Sequence, residues 1–445
     1  MFRSRRSSGL LAAAAGGIIL STLTAPAAAQ ATTGQAITGQ AITQAGCLSD
    51  ALPITVEESR LTTPTVPGAE SASRQFLEAG GFTGLADGFV RRLCQAPSVR
   101  AAHRLAVTHA ENLWRTAVDR AQGRRQMGTI DRYDDRPRYW AHLSATAALR
   151  RWKPSFPVGD ADRARLVRDF DRHSRGLEDT AFSRGRGVTR LLVSGFDPYQ
   201  LRNEPRRSNP SGAAALQLDG RRFSTDKGLV EVQTVMLPVT WSGFDAGIVE
   251  DAFGPHLRKG DVDLIMTVSQ GGRATMNIEQ WAGRWRGGAA DNNEEGTPEV
   301  VPGNDAWPMP DPPREFIETT LPHQAMVDAG TGPWPVRLNP RICEWPPGTF
   351  PDPAAVVCHE NGPTPGGRAR SGGGGDYLSN ESMYRSNRLR LGLGLTDLPG
   401  GHLHISALVY PSDPAVLIDD AFRSDRRATV DQTVALVRAT GLAVR

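Results

Sequence analysis

Two short apolar runs constrain the fold of this chain more than anything else in it. Val188 to Phe196 reads V-T-R-L-L-V-S-G-F, and Val262 to Val268 reads V-D-L-I-M-T-V. Runs of this length and composition belong to buried strands rather than to strands with one wet face. Val230 to Val239 reads as a further strand and Leu403 to Val409 as a late one. Between them lie helical stretches: Pro210 to Leu218, with Ser208 or Asn209 as its cap, and Phe244 to Leu257. Thr429 to Thr440 reads as a closing helix. Strands that alternate with helices predict an α/β fold, a three-layer α/β/α sandwich with a mainly parallel, mixed sheet. In such a sheet chemistry gathers where strands end and loops begin.

The 445 residues fit two domains. Residues from about 70 to 180 are helical in character. Ala101 to Arg124 sets Leu105, Val107, Leu113, Trp114 and Val118 among charges, as an amphipathic helix does. Tyr139 to Trp152 and Asp160 to Phe170 read as helices on the same grounds. Trp114, Trp140 and Trp152 are most simply core residues, with a ligand platform as the outside alternative. The expected organisation is an N-terminal helical region over residues 47–186 and an α/β domain over 187–445. From Glu299 to Gly375 the sequence is rich in proline and glycine and resumes a helical pattern only around Leu321 to Ala329. An insertion at about 333–375 is long for a connection, and loops of that length are functional or disordered.

The first residues read as an export signal. Arg3, Arg5 and Arg6 precede an apolar run from Leu10 to Leu23, and Ala27-Ala28-Ala29 offers a cleavage site before Gln30. Residues 1–29 are therefore expected to be a signal peptide, followed by a low-complexity linker over 30–46. The apolar run is short and alanine-rich for a membrane span, and an uncleaved anchor is the alternative. Sec and twin-arginine routes are both open. The mature protein is expected to be secreted, with no stable membrane association after signal cleavage. Four cysteines in an oxidising compartment suggest two disulfides. Three pairings are possible. Cys343–Cys358 closes a short loop and is favoured, which leaves Cys47–Cys94. No Cys/His cluster suggests a metal, and a net charge of +3 is too small to argue for nucleic acid.

Four further segments follow one another at or near strand ends. The first is L-L-V-S-G-F-D-P-Y (Leu191 to Tyr199), followed by Asn209-Pro210-Ser211. The second is L-P-V-T-W, Leu237 to Trp241. The third is G-G-R-A-T-M-N-I-E, Gly271 to Glu279. The fourth is G-D-Y-L-S-N-E-S-M-Y, Gly375 to Tyr384, with G-H-L-H-I beyond it. In this order they resemble the pyroglutamyl peptidase I family. The resemblance covers roughly residues 187 to 445 and implies a phosphorylase/hydrolase-like sheet, no cofactor, and a peptide or small amide substrate. It implies His404 and Glu279 as catalytic residues, with Ser379 standing where the family has its cysteine nucleophile. It places Phe196 and Tyr199 at the walls of a pocket for a flat, uncharged pyroglutamyl ring, and Tyr377 and Leu378 beside it. His402 points to the same strand face as His404 and ranks second to it. The plain alternatives are a salt-bridged glutamate, a packed histidine and two core aromatics.

Two departures matter. Serine is far less acidic than cysteine, so it must lose its proton to histidine during attack, beside a site that receives an oxyanion. The family also has an arginine before its Asp-Asn dipeptide. Here Asp291 and Asn292 match but no arginine directly precedes them, and Arg286 is a poorly spaced substitute. Two functions follow. One is an exported hydrolase that removes an N-terminal pyroglutamyl or similar blocked residue through Ser379; serine resists the oxidation that an exposed thiol suffers outside the cell. The other is a catalytically inactive relative that binds peptides or serves structurally.

Overall fold

The computed structural model describes residues 46–225 and 228–444. The expected signal peptide, and all of the expected linker but its last residue, lie outside the described residues.

Among the described residues, one short helical turn, Val56–Ser59, and five longer helices build the N-terminal region: Ala72–Gly80 (α1), Thr83–Cys94 (α2), Val99–Ala121 (α3), Arg136–Arg151 (α4) and Asp160–Ser174 (α5). α3 starts where the Ser98 hydroxyl accepts the Ala101 N–H, a side-chain cap on an otherwise unpaired donor. α4 is the hub, packed against each of the other four. Trp114, Trp140 and Trp152 are buried in one core around it. Each such ring hides about 200 Å², a gross gain on the order of 5 kcal/mol. A disulfide, Cys47–Cys94, ties the chain before α1 to the end of α2.

The second half is a seven-stranded sheet. Its strands are Val188–Phe196 (β1), Arg221–Thr225 (β2), Gly228–Leu237 (β3), Leu264–Gln270 (β4), Met276–Glu279 (β5), Val336–Asn339 (β6) and Gly400–Ile405 (β7). Their order is β6-β5-β7-β4-β1-β3-β2. β1 runs parallel to β3 and β4, β7 parallel to β4, and β6 parallel to β5, while β2 and the β5–β7 pair are antiparallel. The sheet is thus mixed and mainly parallel, as expected. Helices Pro210–Leu218 (α6), Ile248–Lys259 (α7), Leu378–Gly392 (α8) and Asp420–Ala443 (α9) flank it. β1 shows why its sequence is apolar throughout. Leu191 and Val193 enter the core beneath α9, and Leu192 enters the opposite core with Phe253 of α7 and Leu389 of α8.

Some expectations need correction. The helix expected over Phe244 to Leu257 is two helices, Trp241–Asp245 and α7, because Gly247 between them has φ 87°. The late strand ends at Ile405, not Val409. Of the two cap candidates for α6, Asn209 caps it by accepting the Ser211 N–H, whereas Ser208 bonds Asp135. The insertion at 333–375 is no bare connection. It supplies β6 to the main sheet and then a three-stranded antiparallel sheet, Val357–His359, Ile342–Trp345 and Arg368–Ser371. The Cys343–Cys358 disulfide joins directly opposed residues of that sheet.

Candidate active site

The site is assembled by register. On β7, His402 lies opposite Glu279 of β5 and Thr267 of β4, and His404 lies opposite Asn277 and Ser269. Side chains directly opposite one another share a face, and so do residues two apart. Glu279, His402, His404, Thr267 and Ser269 therefore project from one face of the sheet, the face that α8 covers.

Within that group Glu279 and His404 are diagonal neighbours. Glu279 Oε1 accepts from His404 Nδ1 at 2.8 Å, and its Oε2 accepts from Asn339 Nδ2 at 2.7 Å. A carboxylate has no proton to give, so Nδ1 carries the hydrogen and Nε2 is left as a base. Glu279 is almost wholly buried. A Cβ at Gly373 would fall 2.2 Å from Glu279 Oε2, so this loop position must be glycine.

Ser379 is the second residue of α8. The N–H groups of Leu378, Ser379 and Asn380 precede the first intrahelical partners, and the positive end of the helix dipole lies there. Asn380 pins this end, accepting the Gly283 N–H and donating to the Gly283 carbonyl, both at 2.8 Å. The Ser379 hydroxyl is hydrogen-bonded to Ser269 at 2.8 Å and not to His404.

Ser379 and His404 nonetheless line one cavity of about 280 Å³, together with Phe196, Tyr199, Tyr377 and Leu378. All the expected site residues except Glu279 face this cavity, and Glu279 reaches it through His404. Ser269 and Gln270 line it too. Gln270 donates to the Tyr199 hydroxyl at 3.1 Å, while its Oε1 is buried without a hydrogen-bond partner. Sequence reasoning missed Asn339, Gln270 and Ser269. Ser269 and Gln270 end a strand next to G-G-R and were legible there. Asn339 arrives from the Pro/Gly-rich insertion and gave no signal.

The aromatic wall is held from behind by the N-terminal region. Asp197, between Phe196 and Tyr199, pairs with Arg138 at 2.6 Å and Arg175 at 2.5 Å. Asn292 donates to the Pro198 carbonyl at 2.8 Å and to Glu57 at 2.7 Å. Arg286 is no substitute for an arginine beside the Asp-Asn pair. It is buried and pairs with Glu381, Asp245 and Glu299. Asp291 instead receives the backbone N–H groups of Trp241, Asn293 and Glu295.

Among the described residues, no group of three or more His, Cys, Asp or Glu side chains is placed to hold a metal ion. Nor is any described helix long and apolar enough to cross a membrane.

Among solved structures, pyroglutamyl peptidase I from Bacillus amyloliquefaciens aligns with 58% of this chain and 95% of its own, at 15% identity and a TM-score of 0.37. Pyrrolidone carboxyl peptidase from Pyrococcus furiosus aligns with 58% and 100%, at 18% identity and a TM-score of 0.38. Likeness of that size is no ground for assigning an activity. The sequence matches are firmer. The PA0049 N-terminal domain matches residues 38–171, and the PA0049 C-terminal domain matches residues 190–302 and 343–409. The uncharacterized protein PA0049 of Pseudomonas aeruginosa is 32% identical over 505 aligned positions, spanning 88% of this chain and 90% of the relative. With both domains matched in order, and nearly the whole of each chain aligned, this protein belongs to the PA0049 family.

Proposed function

We propose that the protein is an exported hydrolase that cleaves an N-terminal pyroglutamyl or similarly blocked residue from peptides, with Ser379 as nucleophile. The observation that carries this is the Glu279–His404 hydrogen bond, its imidazole facing the same cavity as a serine at a helix N-terminus. Ser379 Oγ would bond the acyl carbon while its proton passes to His404 Nε2. The carbonyl oxygen, now negative, would meet the free N–H groups that open α8. As the C–N bond breaks, His404 returns the proton to the leaving amine. Water then hydrolyses the ester by the same route.

The cavity suits a small flat amide. Phe196 and Tyr199 offer apolar faces, and the unpartnered Gln270 Oε1 awaits an N–H donor. Export is supported by the two disulfides and by the character of residues 1–29. The Ser379 hydroxyl's hydrogen bond to Ser269 rather than to His404 favours one second reading, a non-catalytic module that holds a blocked N-terminus in the same cavity.

The test is hydrolysis of a fluorogenic pyroglutamyl amide by the natural protein and its Ser379→Ala and Ser379→Cys variants. Turnover abolished by Ser379→Ala is the expected result. A silent natural protein, with activity appearing only in Ser379→Cys, would establish the binding module instead. Equal turnover by the natural and alanine forms would remove Ser379 from the chemistry.

A further inference from the structure

Ser379 has a second histidine behind it. Ser379 Oγ is 2.8 Å from Ser269 Oγ, and Ser269 Oγ is 2.9 Å from His402 Nε2. His402 Nδ1 is 2.7 Å from Thr267 Oγ1. Thr267 and His402 are fully buried and Ser269 nearly so. The register explains the line-up, since Thr267 and Ser269 are two apart on β4 and face His402 and His404 across the ladder. Nothing in the acyl-transfer scheme above uses this chain of hydroxyls.

We propose that Ser269 and His402 are positioning residues, the end of a buried hydrogen-bond chain that fixes the oxygen of Ser379 and donates to it during attack. This rests on Ser379 being the nucleophile.

Hydrogen counting gives the direction. Burial, with the neighbouring His404 ring adding to it, holds the His402 imidazole well below its ordinary value, so the ring is neutral. A neutral imidazole has one N–H and one lone pair. The other acceptor within reach of the Thr267 hydroxyl is the Gly401 carbonyl at 3.5 Å, the outer limit of a hydrogen bond. The Thr267 hydrogen is better spent on His402 Nδ1 at 2.7 Å. That places the ring hydrogen on Nε2, where it donates to Ser269. Ser269 then points its own hydrogen at Ser379 Oγ. Ser379 accepts on that side and keeps its proton for His404. Were the chain reversed, Ser379 would give its proton to Ser269 and have none for His404.

The arrangement fits an oxygen nucleophile. Negative charge that develops on a small alkoxide gains most from a fixed donor in a dry site. A thiolate spreads its charge over a larger atom and needs that donor less. His402 stays neutral when His404 takes the proton, so the two rings, 4.7 Å apart edge to face, do not become like charges.

The test uses the full chain and a fluorophosphonate probe. Its phosphorus bonds Ser379 Oγ, fluoride leaves, and the serine proton passes to His404. Mass spectrometry locates the adduct, and the inactivation curve separates probe affinity from the limiting rate. Ser269→Ala and His402→Phe are expected to lower the limiting rate about ten- to a hundred-fold, the worth of one hydrogen bond to a charged group, with affinity unchanged. Ser269→Thr keeps the hydroxyl and is expected to recover most of the loss. In a Ser379→Cys background, alkylation by iodoacetamide is expected to be indifferent to Ser269→Ala. An adduct at Ser379 that forms at the same limiting rate in Ser269→Ala overturns this inference alone. So does a Ser269→Thr variant no faster than Ser269→Ala, since a purely structural serine would explain both. No adduct at Ser379 in the natural protein overturns the nucleophile and this inference with it.

Discussion

Glu279→Gln is the sharpest perturbation of the site because the change is almost isosteric and its effect follows from counting hydrogens. In the natural protein both carboxylate oxygens accept, Oε1 from His404 and Oε2 from Asn339. A glutamine has one oxygen and one NH₂. Asn339 presents an NH₂ that cannot turn to offer its oxygen without abandoning the Gly373 carbonyl, to which the same nitrogen donates at 3.1 Å. The glutamine oxygen must therefore face Asn339, and its NH₂ must face His404 Nδ1. That nitrogen becomes the acceptor, and the ring hydrogen moves to Nε2, where a base is required. Packing is unchanged, so the fold should keep its stability to within about 1 kcal/mol. The wrong tautomer alone costs a catalytic serine about 10³- to 10⁴-fold, or about 4 to 5.5 kcal/mol of transition-state stabilisation. The assay is turnover of a pyroglutamyl amide, backed by the rate of fluorophosphonate labelling at Ser379. A Glu279→Gln protein that labels and turns over like the natural one would refute the assignment of His404 as the base that Glu279 orients.

Three more predictions test the pocket and its supports. Gly374→Val places a Cβ 3.2 Å from His404 Cε1 and 3.5 Å from Asn380 N, between the base and the opening of α8. Because Gly374 does not have a positive φ, labelling of Ser379 is expected to fall more than about 100-fold at a stability cost of about 1 kcal/mol, read by chemical denaturation. Cys343→Ser with Cys358→Ser opens a loop of sequence separation 15 and is expected to cost about 3 kcal/mol in the same denaturation assay. Burial, with Asp197 adding to it, pushes the Glu57 carboxyl up to about 7 from 4.5, so between those values only the unfolded chain ionises and stability falls as pH rises. Glu57→Gln keeps an oxygen for Tyr139 and Asn292, and its stability advantage over the natural protein is expected to grow by up to about 3 kcal/mol from pH 4.5 to pH 8, compared by denaturation at each pH.

What the sequence disclosed, and what it hid, follows from how each element is stabilised. β1, β3 and β4 are buried on both faces, so hydrophobicity alone marks them. β5 and β6 have four residues each and owe their place to the ladder with β7 and with each other. No local pattern of that length distinguishes a strand from a loop. The break at Gly247 was invisible because apolar spacing continues across it. The site shows the same division. Ser379, His404 and Glu279 lie in segments whose order carries a resemblance, and the structure brings His404 and Glu279 into contact and sets Ser379 in the same cavity. The second partner of Glu279, Asn339, is a single polar residue from the Pro/Gly-rich insertion, and it meets the carboxylate only once the sheet has set its register.

The line between the two matched domains falls in the sequence but not in the core. Leu201, Ala215, Leu216 and Met236 of the α/β half are buried in the same cluster as Trp114, Trp140 and Phe170 of the helical half. Of the polar grips that cross the same boundary, three reach the neighbourhood of the cavity, while others, such as Arg426 with Asp134 and Trp114 with Asp219, lie away from it. Asp135 holds the start of α6 through Ser208 and the Asn209 N–H, Arg138 and Arg175 hold Asp197, and Glu57 with Arg60 holds the turn at Asn292 to Glu294. These three land on loops rather than on the sheet, and Phe196, Tyr199 and Asn209 beside them line the cavity. Phe196 and Tyr199 flank Asp197, and Tyr377 hydrogen-bonds the Ala290 carbonyl just ahead of the gripped turn. Loops of this kind are normally the mobile part of an α/β site. Here those loops are tied to the helical half by buried charge pairs and by a shared apolar core. The helical half therefore forms the back of the pocket wall, and its ion pairs to Asp197 hold in place the loop that carries Phe196 and Tyr199.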